Sequence, residues 1–170
     1  MSDNVFKGKV WKFGDDINTD LVIPGYALAK LPECDPADCF NANRPGWYKE
    51  VSVGDVIVGG RNFGVGSARP IGDMFLACGI RGIIADTFNG LGLRNCVNAG
   101  LPVLPVPGVT DAFDEGDVAE VDWSTGEVRN VTKGTTTKGT PIPQALQDII
   151  LAGGVEAVLR AEGFLAPKAG

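Results

Sequence analysis

The chain reads as an α/β protein built on a mixed sheet, and the order of its apolar runs is what says so. Strand-like runs alternate with helical spacing between residues 55 and 106, a βαβαβ pattern that implies a parallel segment. A β portion precedes that segment, and a hairpin and a helical stretch follow it. With 170 residues and 44% hydrophobic content, the chain can bury a sizeable core, and residues 1–170 are expected to form a single domain.

Residues 5–13 read as a strand. A polar turn follows, Gly14-Asp15-Asp16-Ile17-Asn18-Thr19-Asp20, and then the apolar Leu21-Val22-Ile23 before Pro24-Gly25. Residues 31–48 are loop-like, interrupted by Pro32, Pro36, Pro45 and Gly46, with room for one helical turn. Long loops in compact domains are often functional, and the prolines and Trp47 point to an ordered cover near a site or at a subunit interface. Trp47 and Tyr48 suit an interface anchor, with packing under the loop the competing reading of Trp47.

Asp55-Val56-Ile57-Val58 reads as a short buried strand, and Pro70 suits the first turn of a helix that runs to Cys78 and stops at Gly79. A strand over 82–86, a helix over 88–98 ended by Gly100 and a strand over 101–106 complete the repeat. Strands over 118–123 and 127–131 flank Ser124-Thr125-Gly126, a hairpin loop with glycine where a left-handed residue belongs. Residues 132–140 read as a polar connector. Leu146, Ile149 and Ile150, then Val155, Val158 and Leu159, recur at helical spacing around Gly153-Gly154, which predicts a helix broken in two with its apolar face in the core.

Composition narrows the chemistry. No apolar run approaches the roughly 20 residues that span a bilayer, and the polar start lacks the apolar stretch of a signal peptide, so the cytoplasm is the expected compartment. A net charge of −6 argues against nucleic acid as partner. Cysteines at 34, 39, 78 and 96 show neither CxxC spacing nor a disulfide framework and read as reduced thiols, mostly core. The chain has no histidine, hence no Ser-His-Asp triad, no Cys-His dyad and no histidine metal ligand of its own. A base here must be a carboxylate, a lysine, a cysteine or an activated hydroxyl, or come from another chain.

The segment from Gly59 to Pro70, GGRNFGVGSARP, places Ser67 and Arg69 on a glycine-rich turn between a strand and a helix. Amides of Ser67, Ala68 and Arg69 at a helix start would favour an anion, and the Arg69 fork fits a carboxylate or phosphate. Other readings compete: Gly64 and Gly66 as a plain connector, Ser67 as a helix N-cap and Arg69 as a solvated charge. A dinucleotide fingerprint with Asp86 as its acid fails at the third glycine, where Arg69 stands.

The runs Gly14 to Pro24 and Gly60-Arg61-Asn62-Phe63-Gly64 with Gly66-Ser67 resemble two signatures of the small subunit of the aconitase-family dehydratases, 3-isopropylmalate dehydratase among them. Three further runs agree in order: Gly79 to Phe88, Asn95 to Leu104, and Ile142-Pro143 with Ala152-Gly153-Gly154. The resemblance implies a swivelling β/β/α domain, as in the aconitase C-terminal domain, that closes over a 4Fe-4S cluster on a separate large subunit. No cofactor would be held by this chain, and the assembly would be a heterodimer or heterotetramer. The implied reaction is a hydro-lyase step on a hydroxy di- or tricarboxylic acid, with 3-isopropylmalate of leucine biosynthesis in the lead. It makes Ser67 the base and places Arg69, Gly66, Ala68, Asp16 and Thr19 around the substrate, although Asp16 and Thr19 could equally cap their own turn. Where the family reads Gly-Ser-Ser-Arg-Glu-His, this chain has Gly66-Ser67-Ala68-Arg69-Pro70-Ile71. With Tyr26 to Lys30 in the loop that meets the variable part of the substrate, this leaves a methylmalate-type acid or maleate open. A noncatalytic small-acid-binding module on the same fold is the alternative of another class.

Overall fold

The computed structural model describes residues 4–30 and 35–166. Strand β1 (Val5–Lys12) sits in the middle of a seven-stranded sheet and joins its two halves. Its C-terminal part runs parallel to β2 (Val56–Gly59), Val10 opposite Val56, and the parallel order continues through β3 (Gly82–Ala85) to β4 (Val103–Pro105). Its N-terminal part pairs antiparallel with β5 (Val118–Asp122), Phe6 opposite Val121, and β6 (Glu127–Asn130) and β7 (Thr135–Lys138) extend that half. The mixed sheet with its parallel βαβαβ segment is as the sequence predicts.

Burial explains the strands. β2 and β3 are buried along their whole length, which is why their sequences are unbroken apolar runs. β5 and β6 alternate, with Ala119, Val121 and Val128 inside and their neighbours half-buried or exposed. β7 corrects the sequence reading, which makes 132–140 a connector. Almost wholly exposed, it carries no apolar alternation, and it forms because β-branched threonines suit the ladder with β6, Val128 opposite Thr137. Past β7, the Gly139 N–H donates to Gly126 O at 2.7 Å and the Thr140 N–H to Pro105 O at 2.9 Å, so the sheet curls until its two ends touch.

Leu21-Val22-Ile23 falls at a helical turn, α1 (Thr19–Val22), whose N-cap Asn18 accepts from the Asp20 N–H at 2.8 Å; α2 (Gly25–Leu28) follows. Leu31 to Cys34 lie outside the described residues. Beyond them come a 3-10 turn over Pro36–Asp38 and α3 (Trp47–Glu50). Trp47 is core: its ring centroid lies 5.1 Å from that of Phe40 and 5.9 Å from those of Trp11 and Phe13. Tyr48 stays exposed.

α4 (Ile71–Ala77) connects β2 to β3, α5 (Gly90–Ala99) connects β3 to β4, and the short α6 (Val109–Ala112) leads from β4 to the antiparallel half. Asn89 caps α5, its Oδ1 accepting from the Leu91 N–H at 3.0 Å, and Gly100 closes it at φ 82°. Gly92 of α5 lies against the loop after β2: a Cβ added there would stand 2.6 Å from Gly64 Cα. The chain ends in α7 (Gln144–Leu151) and α8 (Val155–Ala161), broken at Gly153 and Gly154 as predicted. Their apolar face reaches the core in α7 alone, where Ile150 is buried and Leu146 and Ile149 pack on the core; α8 lies outside α5 and buries no residue completely. No helix among the described residues is long and apolar enough to cross a membrane.

Gly92→Ala tests the close approach of α5. Helix propensity alone would stabilise the variant by about 1 kcal/mol. Contact with the Gly64 backbone should outweigh that by overpacking, costing about 1–3 kcal/mol, so the thermal midpoint should fall. A midpoint at or above wild type would show that the helix does not press on the loop.

Candidate active site

The loops after β1, β2 and β3 lie abreast at the carboxyl edge of the parallel strands, the edge at which open α/β sheets take ligands. The first two are laced together. The Gly60 N–H donates to Gly14 O at 3.0 Å, Asp16 N–H to Arg61 O at 2.8 Å, Gly64 N–H to Ile17 O at 2.8 Å and Thr19 N–H to Val65 O at 2.8 Å. Asp15 adds its carboxylate, accepting from the Arg61 N–H at 2.8 Å and from Nη2 and Nε at 2.6 and 3.0 Å. Those hydrogen bonds hold the Asp15 carboxyl below its usual range and push Arg61 up. Both side chains are in water, so the pair orders the loops more than it stabilises the fold. The third loop joins through Thr87, whose Oγ1 and O accept from the Asn62 and Phe63 N–H groups at 2.8 and 3.0 Å.

Ser67 stands at the end of this lacing. Its N–H donates to Oγ1 of the buried Thr19 at 3.0 Å. Its exposed hydroxyl donates to Asp20 Oδ1 at 3.4 Å and accepts from Arg69 Nε at 3.2 Å. Arg69 spends its other nitrogens on Asp20 Oδ1, 2.8 Å from Nη2, and on Ile23 O. With 12% of its side chain exposed, Arg69 is no solvated surface charge. Nor is Ser67 the cap of α4, whose N-cap position is taken by Pro70. Gly66 is glycine because its φ is 119° and a Cβ would lie 2.7 Å from Thr19 Oγ1.

The amides differ from expectation. Pro70, at φ −75° and ψ 61°, makes an inverse γ-turn in which the Ile71 N–H donates to Arg69 O at 2.8 Å, so the helix starts later than Ala68 and Arg69. The Arg69 N–H folds back to Ser67 O at 2.8 Å. Of the three amides expected to point outward, only that of Ala68 lacks an acceptor among the described residues, and Gly66 supplies a second. Both residues are exposed.

Of the residues singled out in the sequence, Ser67, Arg69, Gly66, Ala68 and Thr19 thus meet on one turn. Asp16 stands along the same rim, exposed at φ 54°, its Oδ1 accepting from Asn62 Nδ2 at 2.8 Å. Asp20 and Asn62 were missed. Asp20 reads in the sequence only as the end of a polar turn, and nothing in spacing shows that it reaches Ser67 and Arg69, almost fifty positions on. Asp86, weighed as a ribose ligand, accepts from the Thr110 N–H and Oγ1 at 3.3 and 3.1 Å. Cys39, Cys78 and Cys96 are buried, and burial pushes the Cys96 thiol up to about 12 and that of Cys39 well above its usual value. Among the described residues no group of three or more cysteine or acidic side chains is placed to hold a metal ion.

A hydroxyl, a guanidinium and two amides with no acceptor among the described residues thus gather at the carboxyl edge of the parallel strands of an α/β domain. No protein-family model matches the chain. Relatives do: the 3-isopropylmalate dehydratase small subunit of Methanosarcina acetivorans is 42% identical over 151 residues, covering 88% of this chain and 93% of its own. The isopropylmalate/citramalate isomerase small subunit of Methanocaldococcus jannaschii is 38% identical over 159 residues, covering 92% and 95%. The crystal structure of 3-isopropylmalate dehydratase (leuD) from Methanocaldococcus jannaschii superposes with a TM-score of 0.84 at 34% identity, covering 93% of this chain and 95% of that one. The chain belongs to the family of 3-isopropylmalate dehydratase small subunits. A dehydratase is a hydro-lyase, and the curled mixed sheet is the fold of its small subunit.

Thr19→Val keeps the shape of the buried side chain and removes the acceptor of the Ser67 N–H. The loss of this part-buried hydrogen bond should cost about 0.5–1.5 kcal/mol and speed hydrogen exchange at Ser67. Exchange at the wild-type rate would mean that Thr19 does not hold the turn.

Proposed function

We propose that this chain is the small subunit of a heteromeric hydro-lyase in which the whole of 1–170 acts as one swivelling domain, working with a cluster-bearing large subunit in the cytoplasm. Its reaction is the dehydration and rehydration of a hydroxy di- or tricarboxylic acid, with 3-isopropylmalate the leading substrate. The observation that carries the reading is the Ser67 hydroxyl, exposed yet held between Arg69 Nε at 3.2 Å and Asp20 Oδ1 at 3.4 Å beside the free amides of Gly66 and Ala68.

Ser67 acts as the base that removes the proton next to a substrate carboxylate. Serine is a poor base until its oxyanion is stabilised, and Arg69 Nε–H pointing at Oγ supplies that stabilisation. The Gly66 and Ala68 amides and the outer edge of Arg69 take the carboxylate, Thr19 supports Ser67 from beneath, and Asp16 meets the substrate from the rim. A 4Fe-4S cluster on the large subunit supplies, when bound, a Lewis acid for the departing hydroxyl. The cysteines among the described residues are buried thiols that do not fit such a cluster, and the proposal places it on the large subunit.

A second substrate has support of its own. Citramalate, named for the Methanocaldococcus jannaschii relative, is a methylated malate, and Ala68 removes the second serine hydroxyl of the family turn. Maleate remains the unsaturated candidate. Turnover of a hydroxy-acid panel by the co-expressed pair ranks these substrates. A noncatalytic acid-binding module would bind the acid alone, without a partner.

Ser67→Ala in the reconstituted complex should abolish turnover and leave assembly intact, since it deletes the hydroxyl without touching the backbone. Arg69→Lys keeps the charge but loses the fork that serves Oγ, Asp20 and Ile23 at once, and turnover should fall by about 10²-fold or more. Normal turnover in Ser67→Ala, or full activity of the isolated chain, would overturn the proposal.

A further inference from the structure

Three residues other than glycine take positive φ among the described residues: Asp16 at 54°, Phe40 at 54° and Asn62 at 58°. Asp16 and Asn62 face each other across two loops of the rim, Asn62 Nδ2 donating to Asp16 Oδ1 at 2.8 Å. Left-handed backbone is unfavourable for a residue with a Cβ, least so for asparagine and aspartate, and it persists where the surroundings over-determine it. They do so here. The Asp16 N–H donates to Arg61 O at 2.8 Å, the Asn62 N–H to Thr87 Oγ1 at 2.8 Å, and Asn62 Oδ1 accepts from Asn89 Nδ2 at 3.3 Å. One side-chain amide therefore reaches the first loop with its nitrogen and the third with its oxygen. A glycine would hold φ 58° more easily, as Gly64 and Gly66 hold 81° and 119° on the same turn. Position 62 thus keeps a strained backbone together with a side chain that bridges loops, and the side chain is what a glycine would lose.

We infer that Asn62 is a positioning residue for Asp16: its Nδ2–H holds Oδ1 of the rim carboxylate and leaves Oδ2 for the substrate, while its Oδ1 ties that carboxylate to the loop after β3. The inference rests on the reading of this rim as the substrate site. The charged groups around the pair are Asp15 on the same loop, Arg61 on the second loop and Asp86 after β3, the three carboxylates all lying within the field of Arg61.

The test uses the reconstituted complex with two variants. Asn62→Gly favours the left-handed backbone and removes the amide. Its thermal midpoint should be at or above wild type, while kcat/KM falls by about tenfold or more as Asp16 loses its fixed geometry. Asn62→Asp keeps the shape but sets a second carboxylate against Asp16. Its kcat/KM should fall at least as far as in Asn62→Gly, because Asp16 Oδ1 then faces an acceptor where it had a donor. Wild-type kcat/KM in Asn62→Gly or in Asn62→Asp overturns the inference. Ser67→Ala measured alongside separates the two levels: if it is inactive and Asn62→Gly is normal, only the inference falls; if it is fully active, the reading of the site falls and the inference with it.

Discussion

The lacing of the loop after β1 to the loop after β2 is the constraint on which the rim depends. β1 and β2 are parallel neighbours, so their chains leave the sheet in the same direction and run on together from Gly14 and Gly60 to Thr19 and Ser67. The closeness has sequence consequences. Gly60 leaves room for the Asp15 backbone, Gly64 lies on Gly92 of α5, and Gly66 clears Thr19. A side chain at Gly60 or Gly66 would separate the two loops that hold the serine, and one at Gly64 would push the turn off α5. The antiparallel half of the sheet plays no part at this rim; pairing through the other end of β1 completes the core and curls the sheet.

At the end of the lacing the electrostatics are local. Arg69 is held on three sides by Asp20, Ser67 and Ile23 O, a set that spends most of its fork inside the chain. Four aspartates, Asp15, Asp16, Asp20 and Asp86, stand in or beside the rim against the guanidiniums of Arg61 and Arg69. An anionic substrate gains little long-range attraction from such a surface. In the proposed division of labour the chain contributes a placed hydroxyl and a few directed donors.

Much of this was legible in the residues. Unbroken apolar runs gave β2 and β3 away because both faces are covered, and Gly100, Gly126, Gly153 and Gly154 marked turns that need left-handed backbone. β7 was hidden because an exposed edge strand of threonines has no apolar face to betray it. Helical spacing in α8 looked like core because periodicity reports a stripe and not how deeply it is buried. Ser67 and Arg69 were readable from the glycine turn. Asp20 and Asn62 were not, since their partners lie on other loops and come near only through the parallel pairing. Pro70 misplaced the amides, because proline fixes φ and leaves ψ to the tertiary structure.

On the proposed function, the Ser67 turn presents the Gly66 and Ala68 amides to a ligand that arrives with the large subunit. Residue-resolved hydrogen exchange measures this directly, in the isolated chain and in the complex with substrate. In the isolated chain the two unbonded amides should exchange fast, and the Ser67 amide, already held by Thr19, more slowly. In the loaded complex Gly66 and Ala68 should become protected while Ser67 changes least. Unchanged exchange at Gly66 and Ala68 would mean that these amides meet no ligand.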